Sequence, residues 1–374
     1  MKRVFILAGE TSGDLHGAML MSAMKERCAD IEFTGIGGNR MIGEGLDTIH
    51  HVREMNFMGI IEVVRHLPFI RRAMANIEQL IDTRKPDLAI LIDYPGFNLR
   101  LAPKIKSRGI PLMYYISPQL WAWHTSRVKI VKKYVDRMVV IFPFEREFYR
   151  SHGVEADFVG HPLLDVVKPG MDRASFRASI GVTGETMMLG LLPGSRAQEI
   201  SKILPAMIGA VDILRRKGID VTGILACAPE LTDKVYAPYL NTPGTVPVRG
   251  ATYDVMAHSD ALVVTSGTAT LESGILGTPM VVVYKTSPLT YAIAKHLVDI
   301  DNIGMINIVA GSRIVPELWQ SDVNAESVAA NTKRLLGDTV CLAEIRKDLA
   351  TAVEKLGETG AAGRAAEIAC GLLF

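Results

Sequence analysis

Val4-Phe5-Ile6-Leu7-Ala8-Gly9-Glu10-Thr11-Ser12-Gly13-Asp14-Leu15-His16-Gly17 begins with five consecutive apolar residues, passes through small and polar ones, and enters a helical pattern. Apolar residues that run together rather than alternate mark a strand buried on both faces, as in a parallel sheet flanked by helices. The same order recurs along the chain. Ala89 to Ile92, Leu112 to Ile116 and Met138 to Phe142 read as buried strands, with helical patterns at Asp14 to Arg27, Leu67 to Lys85, Leu99 to Arg108 and Ser126 to Tyr134. These are βα units, and they predict one doubly wound sheet in the first 160 or so residues.

The plan breaks across Pro162 to Gly184, where Lys168-Pro169-Gly170 interrupts any long apolar period, and it restarts with strands at Met187 to Leu192, Val221 to Ala226, Ala261 to Val264 and Met280 to Val283. From Ala325 the chain reads as helices to its end. The 374 residues at roughly 150 per domain also favour two domains. The expected fold class is therefore α/β, with domains at 1–165 and 166–344. The stretch 345–374 is open to returning to the first. Two such domains would place a ligand cleft near the carboxyl ends of their strands.

Composition excludes several classes. Hydrophobic residues at 48% against 22% charged rule out a disordered chain. With 41 Lys and Arg against 40 Asp and Glu, no global field draws nucleic acid or an anionic bilayer. The four cysteines, Cys28, Cys227, Cys341 and Cys370, show no C-x-x-C pair and are read as thiols in a reducing, cytosolic setting. The apolar run Val4 to Ala8 is too short for a signal peptide, and the uncharged stretch Gly109 to Ser126 holds Pro111, Pro118, Gln119 and His124, which argue against a membrane span.

Four strand ends carry the candidate chemistry. The Gly9 to Gly17 loop allows backbone N–H groups to approach a ligand at a helix start, but it is neither G-x-G-x-x-G nor a P-loop, and Ser12 and Asp14 are equally suited to capping the helix. Asp93, after Leu88 to Ile92 and before Tyr94-Pro95-Gly96, stands where α/β enzymes place a base; a turn or cap aspartate is the alternative. In Pro193-Gly194-Ser195-Arg196-Ala197-Gln198-Glu199, Arg196 offers a fork-shaped donor for phosphate oxygens, with a salt bridge to Glu199 as the competing reading. Thr265-Ser266-Gly267-Thr268-Ala269-Thr270-Leu271-Glu272 delivers small hydroxylated residues to a helix start, with Glu272 a turn later to accept ribose hydroxyls; an ordinary capping box has the same pattern.

Ile116-Ser117-Pro118-Gln119-Leu120-Trp121-Ala122-Trp123-His124 would wall a sugar or acyl site, or pack between domains. Phe57 to Arg72 sets Ile60, Ile61, Val63, Val64, Leu67, Phe69 and Ile70 beside Arg65, Arg71 and Arg72, which suits shallow membrane contact or a half-buried helix. Asp299-Ile300-Asp301 falls after a helical pattern and is not read as a metal site, the histidines lack zinc spacing, and no G-x-S-x-G occurs. No metal and no cofactor is expected.

Taken together, A-G-E-T-S-G-D-L-H-G, L-I-D-Y-P-G-F-N, I-S-P-Q-L-W-A-W, F-P-F-E, V-G-H-P, L-P-G-S-R-x-x-E-I and S-G-T-A-T-L-E run in order from residue 8 to residue 272. The chain resembles the lipid-A-disaccharide synthase family over essentially its whole length, with Asn302 to Gly311 continuing the likeness. The resemblance implies a GT-B glycosyltransferase of two Rossmann-like domains facing a central cleft. It implies inverting transfer from UDP-2,3-diacylglucosamine to 2,3-diacylglucosamine 1-phosphate, giving the β-1′,6-linked disaccharide and UDP without a metal. On that likeness Asp93 and Arg196 match essential residues, and Glu10, Ser12, Gly13 and His16 the first-domain loop, with His16 competing with Asp93 as base. Gly194, Ser195, Ser266, Gly267, Thr268, Ala269, Thr270, Glu272 and Asn307 match donor segments. It also implies a cytoplasmic protein, peripheral on the inner membrane of a Gram-negative bacterium. Rival readings are a UDP-N-acetylglucosamine 2-epimerase-type isomerase, a lipid-intermediate muropeptide glycosyltransferase and a non-catalytic nucleotide-sugar-binding protein.

Overall fold

A computed structural model describes residues 1–28, 30–55, 66–229, 231–286 and 301–374. The chain divides into two compact units, Met1–Asp165 with Gly357–Phe374, and Val166–Leu356. In the first, β1 (Lys2–Ala8), β2 (Ile31–Gly37), β3 (Leu46–His51), β4 (Leu88–Ile92), β5 (Leu112–Tyr115), β6 (Arg137–Val140) and β7 (Ala156–Phe158) form one sheet in the order β3-β2-β1-β4-β5-β6-β7. Every pairing is parallel. The central pair runs in register from Val4 opposite Leu88 to Ala8 opposite Ile92, and β4 is buried throughout. Helices cover both faces, which is why these strands read as unbroken apolar runs.

The second unit has the same winding. Its strands β8 (Met187–Leu192), β9 (Val221–Cys227), β10 (Thr245–Arg249), β11 (Ala261–Thr265), β12 (Met280–Tyr284) and β13 (Glu317–Trp319) lie in the order β10-β9-β8-β11-β12-β13, again all parallel. In each sheet the unit's first strand has its second on one side and its fourth on the other. The strand order reverses there, the point at which open α/β sheets form a ligand crevice. Those points are β1/β4 and β8/β11, and their four exit loops are the four motif loops picked out in the sequence.

The sequence patterns missed mainly strands toward the sheet edges. β2 (Ile-Glu-Phe-Thr-Gly-Ile-Gly) and β3 (Leu-Asp-Thr-Ile-His-His) carry polar residues because they lie toward and at a margin. β10 contains Pro247, tolerated on an outer strand, and β7 and β13 span three residues each. The helix expected from Leu99 starts at Pro95; proline there is a first-turn residue whose missing N–H would have had no helical partner.

The second unit extends beyond 344, because the helix Thr339–Glu354 stays with it and only the helix Ala361–Leu373 joins the first unit. That last helix packs on Thr11–Arg27 through Ala361, Ala362, Ala365, Ala366 and Ala369, all buried. It is tied down by Gly360 N–H donating to Asp165 (2.7 Å) and by Arg364 Nε donating to the Val159 carbonyl (2.9 Å). This return corrects the reading of four free thiols. Cys28 and Cys370 are joined as a disulfide across the helix pair, with Cα atoms 6.8 Å apart, while Cys227 and Cys341 are free. Sequence spacing hid the pair, since 342 positions separate them.

Ala365 is fully enclosed in this seam, so Ala365→Asp buries an unpaired carboxylate. We expect the first unit's melting transition to fall by about 5–10 °C, from a cost of a few kcal/mol. An unchanged calorimetric transition would contradict the packing.

Candidate active site

In the first unit β4 ends on two successive non-glycine residues in the left-handed region, Asp93 (φ 42°) and Tyr94 (φ 46°), and β5 is followed by a third, Ile116 (φ 63°). Such residues cost on the order of 1–3 kcal/mol each and persist only where surroundings hold them. Asn98 Nδ2 donates to the carbonyls of Ile92 (3.1 Å) and Asp93 (2.7 Å), and Tyr114 O–H donates to the Asp93 carbonyl. Tyr94 O–H donates to the Met55 carbonyl (2.6 Å). The Tyr94 ring lies so close over Gly9 that a Cβ there would come within 2.3 Å of it. Glycine at position 9 therefore lets the β1 and β4 exits approach each other.

This approach brings the Glu10 carboxylate into the field of Asp93. Burial pushes the Asp93 carboxyl up to about 7, with Glu10 adding to the shift, although part of its surface remains open to solvent. A base is most useful with a pKa near the working pH. His16, buried on the helix Thr11–Arg27, moves the other way. Burial holds it down at about 4, and its Nδ1 has no hydrogen-bond partner among the described residues. At neutral pH it is an uncharged imidazole and a weaker base than Asp93. His161 is depressed to about 3 by burial and then by His16; its Nδ1 accepts the Leu163 N–H (3.2 Å), which places its own proton on Nε2.

Ser12 is exposed and does not cap its helix, whose N-cap position is held by Glu10, with no side chain accepting a capping bond there. Gly13 is buried in the first turn. Asp14 caps a different helix, accepting from Gly38 N–H (2.7 Å), Met41 N–H (3.1 Å) and Arg40 N–H (3.2 Å) at the start of Asn39–Gly43.

In the second unit Gly194 (φ 106°) is left-handed, and a Cβ there would lie 2.3 Å from Glu199 Oε2, so glycine lets Glu199 fold beneath the loop. Ser195 is exposed. Arg196 Nη1 donates to Glu199 Oε1 (2.8 Å) with the guanidinium side 54% exposed, so the salt-bridge reading is realised. An exposed pair at this spacing is worth only about 0.3–0.5 kcal/mol, and a phosphate could displace it at little cost. Ser266 Oγ donates to the Ile303 carbonyl (2.7 Å) and Thr270 Oγ1 to the Gly267 carbonyl (2.8 Å). These hydroxyls shape the loop. Thr268 is exposed and Ala269 half-buried at the start of Thr268–Ile275, which has no side-chain cap. Glu272 forms no capping box. Its Oε1 accepts from Tyr253 O–H (3.0 Å), and burial raises its carboxyl.

Asn307 is buried and bonded within its own unit. Its Nδ2 donates to the Val315 carbonyl and Glu317 Oε1, and its Oδ1 accepts from Ile314 and Val315 N–H, so its side chain is satisfied within the unit. Glu317, which the sequence reading passed over, also accepts from Ile303 and Gly304 N–H (3.0 and 2.9 Å). The Ser266 loop is thus anchored through Ile303 to a buried carboxylate.

Of the apolar patch, Ile60, Ile61, Val63 and Val64 lie outside the described residues. Phe69 and Ile70 pack against the first unit's core, and Leu67 is half-buried. Asp299 also lies outside the described residues. Among the described residues no group of three or more His, Cys, Asp or Glu is arranged to hold a metal, and no helix is long and apolar enough to cross a membrane.

Two Rossmann-like parallel-sheet domains with their motif loops at both switch points define the GT-B class. Solved structures agree in fold. A putative UDP-N-acetylglucosamine 2-epimerase from Listeria monocytogenes has a TM-score of 0.65 at 13% identity, covering 98% of this chain and 95% of that one. CalG4, the calicheamicin glycosyltransferase, has 0.64 at 16%, covering 100% and 98%. The profile of a family described as lipid-A-disaccharide synthetase matches residues 4–370. Lipid-A-disaccharide synthases from Geobacter metallireducens and Syntrophus aciditrophicus are 45% and 44% identical, covering 100% of this chain and 97% and 98% of those proteins. One from Myxococcus xanthus is 40% identical, covering 99% of this chain and 97% of that protein. The chain belongs to the lipid-A-disaccharide synthase family, and it is a glycosyltransferase of lipid A biosynthesis.

The raised Asp93 carboxyl has a consequence for stability. Its folded-state value of about 7 exceeds the ordinary 3.8, so its contribution is fully present below about pH 4 and is lost as pH rises through 7. Asp93→Asn, which keeps the main-chain bonds, should be more stable than the parent by about 1–3 kcal/mol at pH 8 and nearly equal to it at pH 4. Urea unfolding at both pH values checks this; a destabilised variant at pH 8 would contradict it.

Proposed function

We propose that this chain joins UDP-2,3-diacylglucosamine to 2,3-diacylglucosamine 1-phosphate with inversion, releasing UDP and forming a β-1′,6-linked disaccharide 1-phosphate. The carrying observation is Asp93, a half-buried carboxyl at the β1/β4 switch point raised to about 7. Inversion by direct attack requires the acceptor 6-hydroxyl to lose its proton as the bond to the anomeric carbon forms. Asp93 takes that proton, and its poise near neutrality serves the step. Glu10 sustains the poise.

The leaving diphosphate accumulates negative charge. Arg196 and the N–H groups opening Ala197–Arg216 and Thr268–Ile275, the helices that follow β8 and β11, are the groups of the second unit suited to it. Glu272 accepts the ribose hydroxyls, with Tyr253 holding the carboxylate in place. Both substrates are acylated, and we assign membrane contact on the cytoplasmic face of the inner membrane to the sequence Ile60, Ile61, Val63, Val64 and Leu67. Asp93 argues against a non-catalytic nucleotide-sugar binder, since a binding protein gains nothing from a desolvated carboxylate. The acylated substrates separate the transferase from a 2-epimerase.

With the diacylated pair, kcat/KM should rise with pH along a limb of apparent pKa near 7, because the base must be ionised. Asp93→Asn should abolish that limb together with turnover, and Arg196→Ala should lower kcat/KM by about 10²–10³-fold. Mass spectrometry of the products and a pH–rate profile decide; near-parental turnover in Asp93→Asn would remove the base assignment. Polar replacement of Ile61, Val64 and Leu67 together should release the protein from sedimenting vesicles, and unchanged sedimentation would refute that surface.

A further inference from the structure

Glu145 belongs to neither glycine loop, yet it is built into the Asp93 region. It lies 1% exposed on Pro143–Ser151, the helix that follows β6. Its Oε2 accepts from Phe142 N–H (3.2 Å) and Ile141 N–H (3.3 Å), half of a capping box. A carboxylate used only as a cap would leave its other oxygen to solvent. Here Oε1 accepts the indole N–H of Trp121 (3.3 Å), on the loop that follows β5.

The same helix grips that loop a second time. Tyr149 O–H shares a 2.9 Å hydrogen bond with Ser117 Oγ, and Ser117 also donates to the Pro118 carbonyl. The loop is entered through Ile116, a β-branched residue at positive φ, which persists only where neighbours over-determine it. Ser117 and Trp121 are the two tethers. Trp121 meets Phe144 edge-on (5.0 Å between centroids), Phe144 stacks on Phe142 (5.3 Å), and Phe142 packs on His161 (5.0 Å). The result is a continuous aromatic wall in the unit that holds Asp93, and the Asp93 carboxylate acts electrostatically on Glu145.

We propose that Glu145 is a positioning residue for acceptor recognition, fixing the Trp121 indole so that its half-buried face forms the wall against which the acceptor pyranose lies beside Asp93. Aromatic faces suit the apolar face of a sugar ring, and a fixed indole spares the ordering of a rotamer-rich wall on binding. The inference rests on the transferase reading above and adds a specificity element to it.

The test measures acceptor binding separately from turnover. Glu145→Ala should raise KM for 2,3-diacylglucosamine 1-phosphate by about tenfold and leave donor KM and kcat within about threefold, the pattern of lost ground-state positioning. Glu145→Gln keeps one acceptor oxygen, and with it on the indole the amide NH2 faces the Ile141 and Phe142 N–H groups, so acceptor KM should fall between those of the parent and Glu145→Ala. Trp121→Phe keeps a ring without the N–H and should reproduce Glu145→Ala, and the double variant should be no worse than either single one. Calorimetric titration of the same acceptor into each protein should show the same order of Kd.

A fall in kcat with acceptor KM unchanged, additive effects in the double variant, or parental acceptor binding in Trp121→Phe would overturn the proposal. The last result decides the matter even if Glu145→Ala does not fold. Parental protein that binds the acceptor but transfers nothing would sink the transferase reading alone, whereas a parent that fails to bind it would sink both.

Discussion

Parallel strands cannot be joined by tight turns, so every strand of such a sheet must send its chain back over a face and deliver its carboxyl end to the same edge. The placement of the candidate site residues follows from that constraint applied within each unit. At β1/β4 and β8/β11 the winding changes direction, and the exit loops of two adjacent strands part without a helix crossing between them. The first unit places Gly9-Glu10 beside Asp93 in this way, and the second does the same with the Gly194 to Arg196 loop and the Ser266 loop. None of these residues needs a long-range tether to reach its neighbour across the crevice, because adjacent strands already lie about 5 Å apart.

On the proposed function, the crevice within each unit serves a different electrostatic end. The first removes water from carboxyls. Asp93 is raised by burial and by Glu10, and Glu145 is raised to about 8 by burial even though three N–H groups bond to it. Keeping such groups close is unfavourable to folding, and the left-handed backbone at Asp93 and Tyr94 adds to that. Rigid buried partners, Asn98 and Tyr114 above all, offset both effects by bonding the Asp93 carbonyl. In the second unit Arg196 is largely in water, paired among the described residues with Glu199, while the buried carboxylates Asp254 and Glu317 accept backbone N–H groups. A proton acceptor gains from desolvation, whereas a phosphate clamp gains from a side chain that can move onto its ligand.

What the sequence revealed and what it hid divide along physical lines. β1, β4, β8 and β11 were legible because burial on both faces leaves an unbroken apolar signature, and the loops after them were legible because small residues and a lone charge at a strand end are unusual. Strands toward the margins lose that signature, as the polar residues of β2 and β3 show. The protonation of Asp93 and His16 was not legible, since both are ionisable residues on suitable loops; burial raises the first and lowers the second. Asn307 entered through the family resemblance alone, and its bond to Glu317, ten positions further on, was not legible. Glu145 had a signal, Pro143 followed by a third-position glutamate, but that signal announces only a helix start. Its bond to Trp121 is a tertiary fact.

Net charge is a further case of placement outweighing number. A balance of +1 gave no reason to expect an anionic ligand, and most charged pairs in the structure are exposed, such as Arg108 with Asp82 and Arg137 with Asp157, each contributing little to stability. A few side chains are removed from this averaging by the fold. Asp93 and Glu145 lose solvent, Glu317 and Asp14 receive several backbone N–H groups, and Arg196 keeps an exchangeable partner at a helix start. On the proposed function, a chain of nearly zero charge sets a proton acceptor on one sheet and an anion clamp on the other, because each sheet fixes its local field through burial and helix ends rather than through an excess of one sign.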